Sequence, residues 1–208
     1  MHAEDALPVI ALPAAGASSR MGGNDKLLMD VEGQPLLRHA ARAALAVGYP
    51  VAVTLRPDDA ARRAALSGLP VHVLPVADAD AGMSGSIRAA ASWAQGLGAS
   101  ALMVHLPDMP DITGDDIKAL IEDHASTPAM VLRAASAEGA AGNPVILPSS
   151  LFAALQGVQG DTGARAALRG HPVRLHPLTG ARALTDLDTP EAWADWRAAR
   201  KAGRTGTS

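Results

Sequence analysis

Five short apolar runs, separated by alanine-rich stretches with helical spacing, constrain this chain more than anything else in it. They are Val9-Ile10-Ala11-Leu12, Val51-Ala52-Val53-Thr54-Leu55, Val71 to Leu74, Ala101 to Leu106 and Ala129 to Leu132. They lack the polar alternation of a half-exposed strand, as expected where a sheet is covered on both faces. Between them, Leu36 to Val47 puts Leu36/Leu37, Ala40/Ala41 and Ala44/Leu45 on one face of a helix. Asp58 to Leu66, Asp115 to His124, and Ser86 to Gln95 with a serine cap read as further helices. Strand and helix in alternation mean parallel strands joined by right-handed crossovers. The predicted fold is a three-layer, doubly wound, mostly parallel α/β sheet of Rossmann-like type.

Beyond Ala134 the rhythm changes. Ala134 to Gly142 is small and predicted flexible, and Pro144 to Leu147 is a short strand. Helices follow near Ser149–Leu155 and Asp161–Leu168, and Val173 to Leu175 returns to the sheet. Thr189 to Arg200 is the last helix, with Pro190 in its first turn. With no repeat and no long linker, residues 1–200 read as one domain and 201–208 as a frayed, disordered tail.

Composition narrows the function classes. The 208 residues are 48% hydrophobic and 19% charged, an ordinary globular balance. The absence of cysteine excludes disulfides, thiolate-bound metal and thiol catalysis. A net charge of −3 with 2% aromatic residues supplies neither the basic stripe nor the stacking rings of a nucleic-acid binder. The start, Met1-His2-Ala3-Glu4-Asp5, lacks the basic region of a signal peptide, and no apolar run reaches the ~18 residues of a membrane span. A cytoplasmic protein is expected.

In such sheets ligands bind at the carboxyl ends of the strands, so the loop after the first strand matters most. It reads Ala14-Ala15-Gly16-Ala17-Ser18-Ser19-Arg20-Met21-Gly22-Gly23-Asn24-Asp25-Lys26. Small residues let backbone N–H groups approach an anion, and Arg20 and Lys26 add full charges, a combination that suits a polyphosphate. No Gly-Lys-Ser/Thr closes it, so it is not a Walker loop. A relaxed dinucleotide fingerprint, Gly96-Leu97-Gly98-Ala99-Ser100-Ala101, precedes a strand instead of following one and is discarded.

Ala-Ala-Gly-x-Ser-x-Arg-Met-Gly followed by a lysine resembles the signature of nucleotidyltransferases, and within them the molybdenum cofactor cytidylyltransferase branch. Five later motifs are similar to that branch in the same order. They are Gly82-Met83-Ser84-Gly85-Ser86-Ile87-Arg88, Leu106-Pro107-Asp108-Met109-Pro110, Gly142-Asn143-Pro144-Val145, Gly160-Asp161-Thr162-Gly163-Ala164-Arg165 and Asp186-Leu187-Asp188-Thr189-Pro190. Pro13 and Pro107 depart from the pattern, and neither removes a charged group.

The resemblance implies a nucleotide-diphospho-sugar transferase-like fold and transfer of a nucleoside monophosphate from an NTP to the phosphate of a molybdopterin-type acceptor. It implies that Ala14, Ala15, Gly16, Ser18, Arg20, Gly22 and Lys26 hold the triphosphate, with Arg20, Lys26 and Asp108 catalytic. Asp108 and Asp188 would bind Mg²⁺, with Asp186 the alternative to Asp188. Gly82, Ser84 and Ser86 would face base and ribose; Asn143, Asp161 and Arg165 would meet the acceptor. Ala14-Ala15 ahead of Gly16 points to CTP, the Ala15 methyl narrowing the pocket against a purine. A molybdoenzyme or its chaperone is the implied partner.

Simpler roles stand beside these. Ser86 and Asp161 read equally as helix caps, Arg165 as a surface ion-pair residue and Asn143 as a turn former. Asp188 could open a capping box with Glu191, unless Thr189 takes the cap. His105, His171 and His176 read as packing or surface residues. A guanylyltransferase, a sugar- or polyol-phosphate nucleotidyltransferase and a non-catalytic nucleotide-binding regulator are the alternatives.

Overall fold

The computed structural model describes residues 6–17, 21, 24–160 and 168–205. Ser18, Arg20, Gly22, Asp161 and Arg165, and nearly all of the helix predicted at Asp161–Leu168, lie outside the described residues.

The strands are β1 (Val9–Pro13), β2 (Asp30–Val31), β3 (Gln34–Pro35), β4 (Val51–Leu55), β5 (His72–Pro75), β6 (Ala101–Val104), β7 (Val131–Ala135), β8 (Ala141–Pro148) and β9 (Val173–Pro177). The helices are α1 (Leu36–Leu45), α2 (Ala60–Ala65), α3 (Met83–Gly96), α4 (Gly114–Ala125), α5 (Phe152–Gln156) and α6 (Pro190–Thr205). Seven strands form one sheet in the order β5-β4-β1-β6-β8-β7-β9. Strands β5, β4, β1 and β6 run parallel, β8 is antiparallel to both its neighbours, and β9 is parallel to β7.

Alternate residues of β1 enter opposite layers. Ile10 and Leu12 join Leu37, Met103, Ile117 and Trp193 on one face, and Val9 and Ala11 join Ala90, Ala94, Leu102 and Phe152 on the other. This is why the central strands read as continuous apolar runs. The third run is the exception, since β5 is an edge strand with no fully buried residue.

The second half needed more correction. The flexible stretch predicted at Ala134–Gly142 is the turn of a hairpin, with β7 ending at Ala135 and β8 starting at Ala141. Inserted between β6 and β7, β8 satisfies both their edges, and its length exceeds the Pro144–Leu147 strand expected from apolarity. Gly142 is required there, because a Cβ would fall 1.9 Å from the Ala183 carbonyl oxygen. A small β2–β3 hairpin was not anticipated. Its turn holds Glu32 and Gly33 at φ 55° and 81°, the left-handed pair of a tight hairpin turn. The last helix runs on past Arg200 to Thr205.

No helix among the described residues is long and apolar enough to cross a membrane.

Candidate active site

Where β1, β4 and β6 end, a cleft of about 290 Å³ opens, lined by Ala14, Gly16, Lys26, Ser86, Asp108, Asp186 and Asp188 among others. Pro13 keeps its sheet register opposite Thr54, so this departure leaves the strand intact. The chain then turns over Thr54. The Ala14 N–H lies within hydrogen-bond distance of both the Thr54 carbonyl (3.1 Å) and its Oγ1 (3.2 Å). Thr54 Oγ1 in turn donates to Ser86 Oγ at 2.9 Å. This buried relay fixes the loop to α3.

Ser86 therefore does not cap a helix. Helix α3 begins three residues earlier, after Gly82 at φ 78°, and Ser86 sits inside it with its hydroxyl turned toward Thr54. Gly82 lines the cleft; Ser84 is 1% exposed and borders a separate hollow with Asp78 and Arg88. Asn143 lies in β8, its N–H bonded to the Ala183 carbonyl, and is not among the described residues that line the cleft.

The charged centre joins three segments distant in sequence. Lys26 opens a short turn capped by Asp25, whose carboxylate accepts from the Leu27 N–H. Its ammonium donates to Asp108 Oδ2 at 2.5 Å and also to Asp188 Oδ1. The Leu187 N–H donates to the Asp108 carbonyl at 3.0 Å, which fastens the Asp186–Asp188 segment against the end of β6. Thr189 caps α6 by accepting from the Ala192 N–H, so the alternative role for Asp188 falls to its neighbour. Asp186 lines the same cleft.

Burial opposes the charge of Lys26, but Asp108 and Asp188 outweigh it and hold the ammonium pKa above its ordinary value. Asp108 is also raised, chiefly by burial, with Asp188 and Asp186 adding and Lys26 opposing. One ammonium thus serves two close carboxylates. Asp108 Oδ1 is buried without a hydrogen-bond partner. An oxygen-only donor pair with a free buried oxygen fits a hard divalent cation that keeps water and phosphate oxygens as its other ligands. No cluster of three or more His, Asp or Glu suited to holding a metal occurs among the described residues.

Sequence reading missed two arginines beneath the loop. Arg62 of α2, 3% exposed, donates to the carbonyls of Ala14 (2.6 Å) and Gly16 (2.7 Å) and forks onto Asp25 (2.8 and 2.9 Å). Arg56 donates to the Ala15 carbonyl at 3.1 Å. The Ala15 methyl is 2% exposed and packs with Val76 and Ala79, so it faces away from the cleft that it was expected to narrow.

Residues 10–177 match the MobA-like NTP transferase domain. The chain belongs to that family. Its chemistry is nucleotidyl transfer. The chain is 28% identical over 193 residues to the purine catabolism protein PucB of Bacillus subtilis, covering 86% of this chain and 91% of PucB. It is similar in structure to Rv0371c of Mycobacterium tuberculosis, with TM-score 0.78, 26% identity, and coverage of 93% and 96% of the two chains. Rv0371c is also known in complex with manganese. CMP:2-keto-3-deoxy-manno-octonic acid synthetase complexed with CTP shares the fold at TM-score 0.73 and 16% identity, over 95% of this chain and 100% of its own.

Proposed function

We propose that this single-domain protein is a cytoplasmic, Mg²⁺-dependent cytidylyltransferase that joins CMP from CTP to the terminal phosphate of a molybdopterin-type cofactor and releases pyrophosphate. The observation that carries the reading is the convergence of Lys26, Asp108 and Asp188 at the mouth of a small-residue loop. The cytidine choice is supported by the resemblance of the later motifs to cytidylyltransferases and by the CTP-bound structural neighbour, and the divalent ion by the manganese-bound relative.

An acceptor phosphate oxygen attacks the α-phosphorus, the bond from that phosphorus to the bridging oxygen breaks, and the electron pair leaves on pyrophosphate. A phosphate monoester has a second pKa of about 6, so the nucleophile is already largely dianionic and needs no base. Catalysis is then mainly positioning and charge neutralisation. Lys26 supplies a mobile cation for the β- and γ-phosphates, Arg20 a second, and the loop amides their N–H groups. Asp108 and Asp188 would hold Mg²⁺, which neutralises charge on the phosphate oxygens when bound. Asn143, Asp161 and Arg165 are proposed to receive the acceptor, and a molybdoenzyme or its chaperone to take the product. Nucleic acid and membrane have no place in this reading.

Pyrophosphate release with each of the four NTPs and molybdenum-loaded pterin tests nucleotide and acceptor together. CTP-dependent release that requires the pterin supports the proposal. GTP preference would make it a guanylyltransferase, and release with a sugar phosphate alone would replace the acceptor. NTP binding without turnover on any acceptor would leave a regulator.

A further inference from the structure

A loop that grips a triphosphate must show the anion its N–H groups and hide its carbonyls, since a carbonyl oxygen carries the wrong partial charge. Three consecutive carbonyls of this loop are held from below. Arg62 takes Ala14 and Gly16, and Arg56 takes Ala15. In a trans peptide the C=O and the following N–H point in opposite directions. Holding the carbonyls of 14 and 16 therefore turns the N–H groups of Ala15 and Ala17 away from the Arg62 guanidinium.

The same side chain reaches the neighbour of the site lysine. Arg62 Nε and Nη2 fork onto both oxygens of Asp25, and Asp25 Oδ1 also caps the turn that begins at Lys26. Asp59, the N-cap of α2, lies 3.4 Å from Arg62 Nε and sets a second carboxylate beside the guanidinium. A guanidinium can do this because its donors form a rigid planar fork; an ammonium cannot span two carbonyls and a bidentate carboxylate together.

We propose that Arg62 is a positioning residue for the nucleotide: it sets the amide-outward form of the 14–16 loop and, through Asp25, the place from which Lys26 reaches the phosphates. The proposal rests on the reading of this loop as the NTP site.

Equilibrium binding of Mg·CTP to the purified full chain, followed by titration calorimetry, tests it with Arg62→Lys, Arg62→Ala and Asp25→Asn. Arg62→Lys, which keeps the charge but loses the fork, is expected to weaken CTP binding about tenfold and to raise KM in proportion, with kcat within about threefold of wild type. CMP, which lacks the β- and γ-phosphates, should lose about threefold or less. Millimolar methylguanidinium should restore CTP affinity to Arg62→Ala and not to Arg62→Lys, whose side chain fills the slot, a rescue that general loss of packing would not show. If Arg62→Ala fails to fold, Asp25→Asn provides the second arm and should weaken CTP binding by several-fold. Wild-type CTP affinity in folded Arg62→Lys and Asp25→Asn overturns the proposal. A wild-type protein that binds no NTP overturns the underlying site reading, and the role of Arg62 with it.

Discussion

The cleft and the His105 pocket both bury ionisable groups, and they handle the burial in opposite ways. At the cleft, Lys26 donates to Asp108 and Asp188, and beneath the loop Arg62 donates to Asp25, so each of these groups has a hydrogen-bond partner. On the α1 side of the sheet, His105 is 0% exposed and neither ring nitrogen has a partner. Burial, with His39 nearby, lowers its pKa to about 4, so the imidazole is neutral at pH 7. Partners converge on the cleft groups, whereas the His105 imidazole is buried neutral without one. The difference teaches that burial alone does not mark a functional group; converging partners do.

The comparison can be broken at its charged side first. Asp108→Ala should lower turnover about a thousandfold in a chain that stays folded by circular dichroism, since charge stabilisation by a bound divalent ion is worth several kcal/mol and each ~1.4 kcal/mol is tenfold in rate. Activity within about threefold of wild type would remove Asp108 from the site.

At the neutral side, the sign is fixed by which state takes up the proton. Below the unfolded pKa of 6.5 the unfolded chain protonates His105 while the folded chain resists until about pH 4. Stability is therefore full above pH 6.5 and falls as the pH drops toward 4, by about 3 kcal/mol for a 2.5-unit shift at ~1.4 kcal/mol per unit. His124, also lowered by burial, adds in the same direction. Urea denaturation from pH 7.5 to 4.5 should show the slope in wild type and a shallower one in His105→Leu. Identical slopes would mean that His105 is protonated in the folded state.

Lys26→Ala should weaken CTP binding on the order of 10- to 100-fold while CMP changes about twofold, because a charge-assisted bond to the β/γ-phosphates is lost only from the triphosphate. Equal losses would confine Lys26 to the two aspartates. The smallest effect concerns Ala15. With its methyl packed on Val76 and Ala79, Ala15→Gly should change the CTP-to-GTP ratio of kcat/KM by less than about threefold, below the 10- to 200-fold that a methyl facing the pocket can give. A larger shift would show the base sensing that methyl through the loop.

The parts of this site that sequence disclosed are those whose chemistry is local. The apolar runs gave β1, β4 and β6, and the charged residues after them, Lys26 and Asp108, fell where strand-end geometry places ligands. Asp188 is reached through the resemblance of its Asp-Thr-Pro motif, and in the structure Thr189 accepts the competing cap bond. What escaped was pairing across distance. Arg62 sits in a short alanine-rich helix that reads as such, and nothing in its sequence surroundings announces Asp25, 37 positions away. The start of strand β8 escaped because the stretch to Gly142 reads as flexible and Asn143 as a turn former, whereas contact with the Ala183 backbone draws them into the sheet. The side taken by the Ala15 methyl is likewise decided by the turn over Thr54, which composition does not encode.

The order of synthesis gives the Lys26–Asp108–Asp188 junction a further meaning. Lys26 and Asp108 are separated by 82 positions, Lys26 and Asp188 by 162. A chain emerging from the ribosome at ~5–20 residues per second exposes the lysine, then the first aspartate, and only several seconds later the second. During that interval the parallel strands can assemble, but Lys26 has only one of its two carboxylate partners. The nascent protein thus has the loop that ends at Lys26 long before it has the full Lys26–Asp108–Asp188 junction, which cannot close until position 188 has emerged.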